Sequence, residues 1–328
     1  MADVDLAGRP RLLLTNAVHP DAEALLAAAA DLVVAPDVAP DTLRRLAGDV
    51  DGIVVRAKLP DDIVAHAPRL KGIVRHGVGL DFIPVAAATA AGVPVANLPG
   101  SNTQAVAEYV IGALLALRRP LAGLDATLRR DGWAAARPLA DGTGEIAGST
   151  LGILGVGEIG RRVAAIARNG FGMRVLGASR TLANLPEGVE PVAIDRLFAD
   201  SDAVVIACPL NETTRGLVDA RLIGLMKPGA LLVNVARAAV VDTAALVAAL
   251  QEGRIGGAAV DVHDVQPLAP DAAILGAPNV LATPHVAGVT ATSLRAMSMG
   301  AAEEMLRILA GERPKNLVNP DCYGAVPA

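Results

Sequence analysis

Three side chains of this 328-residue sequence stand just after short apolar runs. Arg237 closes Asn234-Val-Ala-Arg237, Gln266 lies in Asp261-Val-His-Asp-Val-Gln-Pro267, and His285 closes Thr283-Pro-His285. A guanidinium meets a planar carboxylate with two parallel N–H donors. An imidazole titrates near neutral pH and can give a proton to a developing alkoxide. A fourth segment, Gly155-Val-Gly-Glu-Ile-Gly160, follows the apolar run 151–154 and precedes the helical stretch 161–167. There Gly155 permits a tight turn, Gly157 lets the backbone approach a pyrophosphate, and Gly160 allows close helix–strand packing. The helix start adds N–H groups and the positive end of a dipole, so the segment points to a dinucleotide.

The elements that must position these groups follow from hydropathy. Runs at 11–14, 32–35, 52–55, 73–75 and 94–96 alternate with Ala/Leu-rich helical stretches, and a second series occupies 151–154, 174–178, 203–207, 231–235, 257–260 and 280–282. Such alternation predicts βαβ units and two doubly wound parallel sheets, an α/β fold with functional groups outside the carboxyl ends of the strands. A turn cluster at 97–101 precedes a helix over 103–118 that ends before Pro120, and a last helix is expected over 292–310. The segment from Pro314 to Pro320 has no strand–helix unit of its own and is expected to return to the first domain. The expected domains are residues 1–101 with 289–328, and residues 102–288, with hinges near Gly100 and Gly288.

A dinucleotide site selective for NAD carries an acid at the end of the second strand. Here that stretch reads Leu176-Gly-Ala-Ser-Arg-Thr181. Ser179, Arg180 and Thr181 suit a 2′-phosphate, so NADPH is the preferred cofactor and NADH the alternative.

Composition excludes several classes. With 52% hydrophobic and 19% charged residues the chain is too apolar to be disordered. A net charge of −5 and 2% aromatics leave neither the basic surface nor the stacking side chains of a nucleic-acid binder. Cys208 and Cys322 are far apart and lack metal-ligand spacing, which fits a reducing cytoplasm and no metal. Residues 1–20 show no basic segment followed by a long apolar run, so no secretory leader and no membrane span are expected.

His76-Gly-Val-Gly-Leu-Asp81, Asn102-Thr-Gln-Ala-Val-Ala-Glu108, the stretch 145–160, Cys208-Pro-Leu210 with Thr214-Arg-Gly-Leu217, Met226-Lys-Pro-Gly-Ala230, Asn234 to Arg237 and Pro284-His285 occur in one order along nearly the whole chain. In these segments the sequence resembles the D-isomer-specific 2-hydroxyacid dehydrogenase family, which contains glyoxylate/hydroxypyruvate reductases and phosphoglycerate dehydrogenases. The resemblance implies a Rossmann cofactor domain inserted into a discontinuous, flavodoxin-like substrate domain. It implies that Arg237 grips the substrate carboxylate and polarises the 2-oxo group, that His285 is the general acid in reduction, and that the Val78 and Gly79 amides help hold the carboxylate. Cofactor contacts are expected at Val106, Gly155, Gly157, Glu158, Ile159, Gly160, Cys208, Pro209, Thr214, Val235, Ala236, Asp261, His285 and Gly288. A homodimer through the 103–118 helix and the Trp133 segment is implied too. Small polar 2-oxo acids such as glyoxylate or hydroxypyruvate fit the scarcity of aromatics. Arg56, Lys58, Arg75 and His76 either bind a second anionic group of the substrate or are solvated. His19 and His66, and His76 on its other reading, are surface or packing residues.

One position departs from the family. Gln266 stands where a Glu usually pairs with the histidine, and an amide cannot stabilise imidazolium by charge, so His285 is expected to be less basic than in Glu-containing relatives. Asp264 either compensates in part or is a solvated loop acid. A Gln–His pair also resembles formate dehydrogenases of the same superfamily, although the shorter N-terminal region and the missing acid after the second cofactor-domain strand argue against that reading. A non-enzymatic NAD(P)-sensing corepressor is the remaining alternative, and Arg237 with His285 argues for turnover.

Overall fold

Strand β1 (Arg11–Leu14) shows how the first sheet is built: Leu12 and Leu14 enter one apolar cluster and Leu13 another, on opposite faces. The computed structural model describes residues 8–180 and 185–324, and the chain divides into two units, Met1–Asn102 with Thr290–Ala328, and Thr103–Val289. In the first unit β1 is followed by α1 (Pro20–Ala29), β2 (Asp31–Val34), α2 (Pro40–Ala47), β3 (Gly52–Val55), β4 (Gly72–Arg75), α3 (Val85–Ala90) and β5 (Val95–Ala96). The strands are parallel in the order β2-β1-β3-β4-β5, the flavodoxin-like arrangement. Leu26 of α1 covers one face together with Met297, Ala301, Met305 and Ile308 of the late helix α11 (Ala291–Leu309). Leu43 of α2, Ile63 and Ala88 of α3 cover the other. Beyond α11, Val318 donates its N–H to the Val95 carbonyl at 2.8 Å. The buried Asn319 amide accepts from Val95 N at 2.7 Å and donates to Val93 O at 2.9 Å. The chain end thereby satisfies the backbone of the short edge strand β5.

The second unit opens with α4 (Thr103–Arg118), α5 (Leu121–Asp131) and α6 (Trp133–Ala136), then runs β6 (Thr150–Leu154), α7 (Glu158–Phe171), β7 (Arg174–Ala178), β8 (Val189–Pro191), α8 (Ile194–Asp200), β9 (Ala203–Ile206), α9 (Ala220–Leu225), β10 (Leu231–Asn234), α10 (Thr243–Gln251), β11 (Gly257–Val260) and β12 (Val280–Ala282). Its seven parallel strands lie in the order β12-β11-β10-β9-β6-β7-β8, a Rossmann order with one strand added. β9, β10 and β11 are buried at every residue, as expected of strands covered on both faces. Strand β8 has no counterpart in the hydropathy reading. It is a three-residue edge strand, Val-Glu-Pro, and its proline is tolerated only because an edge residue need not donate to a ladder.

Register brings the strand ends together. Ala178, Leu154, Ile206, Asn234, Val260 and Ala282 pair in succession across six neighbouring strands. The segments after β6, β7, β9, β10, β11 and β12 therefore leave the sheet along one edge. Among the described residues no helix is long and apolar enough to cross a membrane.

Candidate active site

The turn between β6 and α7 separates its three glycines by role. Gly155 has φ +95°, and a Cβ there would lie 2.5 Å from the Cys208 backbone. At Gly160 a Cβ would lie 2.4 Å from the Gly155 carbonyl. Both glycines are required by neighbouring backbone. Gly157 is different: its φ of −83° suits any residue and a Cβ would meet no protein atom within 4 Å. It caps α7, a 14-residue helix, without a side-chain hydrogen bond, so no capping side chain of its own occupies the first-turn amides. This cradle fits a pyrophosphate, the group a nicotinamide dinucleotide would place there. Glu158 is exposed and Ile159 half-buried on the first turn. At the end of β7, Ser179 is half-buried and Arg180 exposed, whereas Thr181 lies outside the described residues.

Cys208, after β9, is buried, and burial pushes its thiol up to about 11. The loop that follows folds back on itself, with Thr214 Oγ1 donating to Pro209 O at 2.7 Å and accepting from Asn211 N at 2.8 Å. Val106 is buried in α4. After β10, the buried Asn234 accepts from Ala236 N at 3.1 Å and donates to Arg237 O at 3.2 Å. Its side chain shapes the Val235–Ala236–Arg237 turn. Arg237 is half-buried and donates to Ala236 O at 2.7 Å.

The segment carrying His285 is held most firmly. His285 itself has φ +58°, a left-handed conformation uncommon for a residue with a side chain. The buried Asp261 carboxylate accepts from Val286 N at 2.7 Å, Ala287 N at 2.8 Å and Thr283 Oγ1 at 2.7 Å. Thr283 Oγ1 lies 2.6 Å from the Tyr109 hydroxyl of α4, and Thr283 O accepts from His263 Nε2 at 2.8 Å. Gln266 Oε1 lies 3.2 Å from His285 Nδ1, while Gln266 Nε2 donates to His263 O at 3.5 Å. An amide oxygen only accepts, so Nδ1 carries a proton at this contact, and Nε2 is the ring atom left to exchange a proton with a ligand. Asp264 is exposed and Gly288 half-buried.

Arg56, Val78 and Gly79 belong to the other unit. Arg56 is half-buried and donates to the Ala17 carbonyl. Arg75 is half-buried: it donates to Val55 O at 2.7 Å, His76 O at 2.9 Å and Gly79 O at 3.0 Å, and stacks over Phe82. It fixes the turn that bears Val78 and Gly79. His76 is buried with Nε2 2.8 Å from Ser298 Oγ, and burial, with Arg56 and Arg75 nearby, lowers it to about 4. It is a neutral packing residue.

The family model for "D-isomer specific 2-hydroxyacid dehydrogenase, NAD binding domain" matches residues 111–287. A glyoxylate reductase of Aeropyrum pernix is 38% identical over 95% of this chain and 96% of its own. The chain belongs to this family. Among solved structures, an NADPH-dependent glyoxylate/hydroxypyruvate reductase of Sinorhizobium meliloti, in complex with NADP and malonate, aligns with a TM-score of 0.86 and 30% identity over 95% of this chain and 98% of its own. An acyclic imino acid reductase (Bsp5), in complex with NADPH and D-Arg, aligns with a TM-score of 0.85 and 28% identity over 94% of this chain and 99% of its own. The dehydrogenase is thus an NAD(P)-dependent oxidoreductase. His263, Thr283 and Tyr109 are the members of its histidine network that the sequence reading did not single out. His263 could have been found, because it shares its segment with Asp261. Nothing in sequence spacing links Tyr109 to Thr283, 174 residues away.

Proposed function

We propose that the dehydrogenase reduces small 2-oxo acids, glyoxylate or hydroxypyruvate foremost, to the corresponding hydroxy acids (the D isomer where the product is chiral), with NADPH preferred over NADH. The observation that carries this reading is the placement of Arg237 and His285 on the same sheet edge as the glycine turn, with His285 oriented by Gln266. A reduced nicotinamide, when bound, supplies the hydride. The amides that open α7 hold its pyrophosphate, and Ser179 with Arg180 favours a 2′-phosphate. Arg237 pairs with the substrate carboxylate and draws electron density from the 2-oxo group, a role for which a delocalised, permanently charged fork is suited. His285 delivers a proton from Nε2 to the oxygen at C2. Asp261 acts on the site by holding the His285 segment.

The Gln266–His285 pairing favours a second reading. A neutral ring with its lone pair at Nε2 accepts a hydrogen bond from a protonated 2-imino acid, which needs no proton from the protein when it is reduced. We also propose a homodimer in which a second copy covers Leu121, Trp133 and Leu139, which are 64%, 74% and 50% exposed. Equilibrium sedimentation at micromolar protein tests it, and a monomer overturns it.

The test of the activity is the initial rate of NADPH and of NADH oxidation with glyoxylate and hydroxypyruvate, alone and with excess ammonia. Faster turnover with NADPH and no ammonia supports the first reading. Turnover that requires ammonia supports the second, and faster NADH turnover overturns the cofactor preference alone. Reduction of NADP+ or NAD+ by formate, or no turnover at all, overturns both substrate readings.

A further inference from the structure

We propose that Tyr109 is a positioning residue for His285, acting through a chain of hydroxyl groups in which Thr283 is the middle link and Asp261 the end; this rests on the reading of His285 as the proton donor. The chain has a defined polarity. Thr283 Oγ1 donates to Asp261 Oδ1 at 2.7 Å, which uses its single proton, so at the 2.6 Å contact the Tyr109 hydroxyl is the donor. Burial raises Tyr109 above the ordinary phenol value, which keeps that proton in place.

The chain ends where His285 is held. Asp261 binds Thr283 on one side of His285 and the amides of Val286 and Ala287 on the other. His285 stands between these anchors with φ +58°, a conformation that persists only while its surroundings impose it. The Thr283 carbonyl completes the arrangement by accepting from His285 N at 3.0 Å and His263 Nε2 at 2.8 Å. Tyr109 brings to this segment the rigidity of α4, a 16-residue helix whose Ala107, Val110 and Leu114 are packed into the core with Val163 and Ala167 of α7. Without the Tyr109 proton, Thr283 loses a donor and its hydroxyl can turn away from Asp261. The anchor before His285 is then weakened.

Four variants test this: Tyr109→Phe, Thr283→Val, Thr283→Ser, and Tyr109→Phe with Thr283→Val. Amide hydrogen exchange at Val286 and Ala287, measured on the free protein, is expected to rise about tenfold in Tyr109→Phe and Thr283→Val and to stay near wild type in Thr283→Ser. With glyoxylate and NADPH, Tyr109→Phe should lower kcat about five- to tenfold with KM little changed. Thr283→Ser should restore most of what Thr283→Val loses, and the double variant should be no slower than Thr283→Val alone, since Tyr109 acts only through Thr283. Unchanged exchange in Tyr109→Phe overturns the proposal, and so does faster exchange with an unchanged kcat, or full additivity in the double variant. If Thr283→Val does not fold, Tyr109→Phe and Thr283→Ser still decide it. Should wild type turn over no 2-oxo acid, the activity reading fails, and the exchange rates alone decide whether the chain holds the segment.

Discussion

Replacing Gln266 by Glu should move the pH profile of reduction, and by an amount that geometry sets. Gln266 Oε1 lies 3.2 Å from His285 Nδ1, so a Glu oxygen in its place puts a negative charge beside the ring. Gln266 is exposed, and the dielectric of water therefore applies; at this separation it gives about 1.3 kcal/mol in favour of imidazolium, or about one pH unit. The sign follows from the role. A general acid works while protonated, so the reduction rate falls as pH rises through its pKa, and a neighbouring carboxylate delays that fall to higher pH. The assay is kcat/KM for glyoxylate with NADPH between pH 5 and 9. Gln266→Glu should carry the alkaline limb up by about one unit. Gln266→Ala, which removes the orienting oxygen without adding charge, should lower the plateau and leave the limb without an upward shift. A limb that stays in place in Gln266→Glu, or moves down, would refute the assignment of His285 as the acid tuned by its amide partner.

The glycine turn and the buried histidine provide the other tests. Gly157→Ala should leave urea unfolding unchanged while abolishing dinucleotide binding read by nucleotide fluorescence, because its Cβ meets no protein atom within 4 Å but enters the cradle. Gly155→Ala should cost about 3 kcal/mol in the same unfolding experiment, from backbone strain and overlap with Cys208; equal stabilities in the two variants would contradict the division of roles. His76 is neutral in the fold, lowered from 6.5 to about 4 mainly by burial. Between those values the unfolded chain holds a proton that the folded one does not, so stability falls as pH drops through this window. The total is on the order of 3 kcal/mol, about 2 of it gone by pH 5. Urea midpoints at pH 7.5 and pH 5 should differ less in His76→Gln than in wild type, and an identical pH dependence would show that His76 does not carry it.

Local chemistry was legible in the sequence because it is written within a few residues. The apolar runs that became β6, β9, β10, β11 and β12, the helix over Thr103–Arg118, and the glycine turn after Leu154 all rest on spacing along one segment. So do the residue types placed just beyond those strands: a backbone that leaves a buried parallel strand must turn at its end, and a polar side chain there faces the sheet edge. Strand β8 was not legible, since three residues ending in proline carry no periodicity.

What only the tertiary structure decided is which strand ends are neighbours and which side chains meet across them. Arg75 offers a cation at the end of β4, and nothing nearby in sequence says that it is committed to three backbone carbonyls and the Phe82 ring. Asp261 is expected from sequence only as a cofactor contact, and its hold on the His285 segment follows from the register of β11 and β12. Tyr109 and Thr283 meet because α4 packs on the sheet whose edge strand is β12. The physical reason is common to all three: hydrophobic periodicity specifies an element and the face it buries, whereas hydrogen-bond partners are specified by topology, which pairs residues without regard to their distance along the chain. The sequence by itself determined that this chain carries an arginine, a histidine and a dinucleotide turn at strand ends, and the fold decided how that histidine is held.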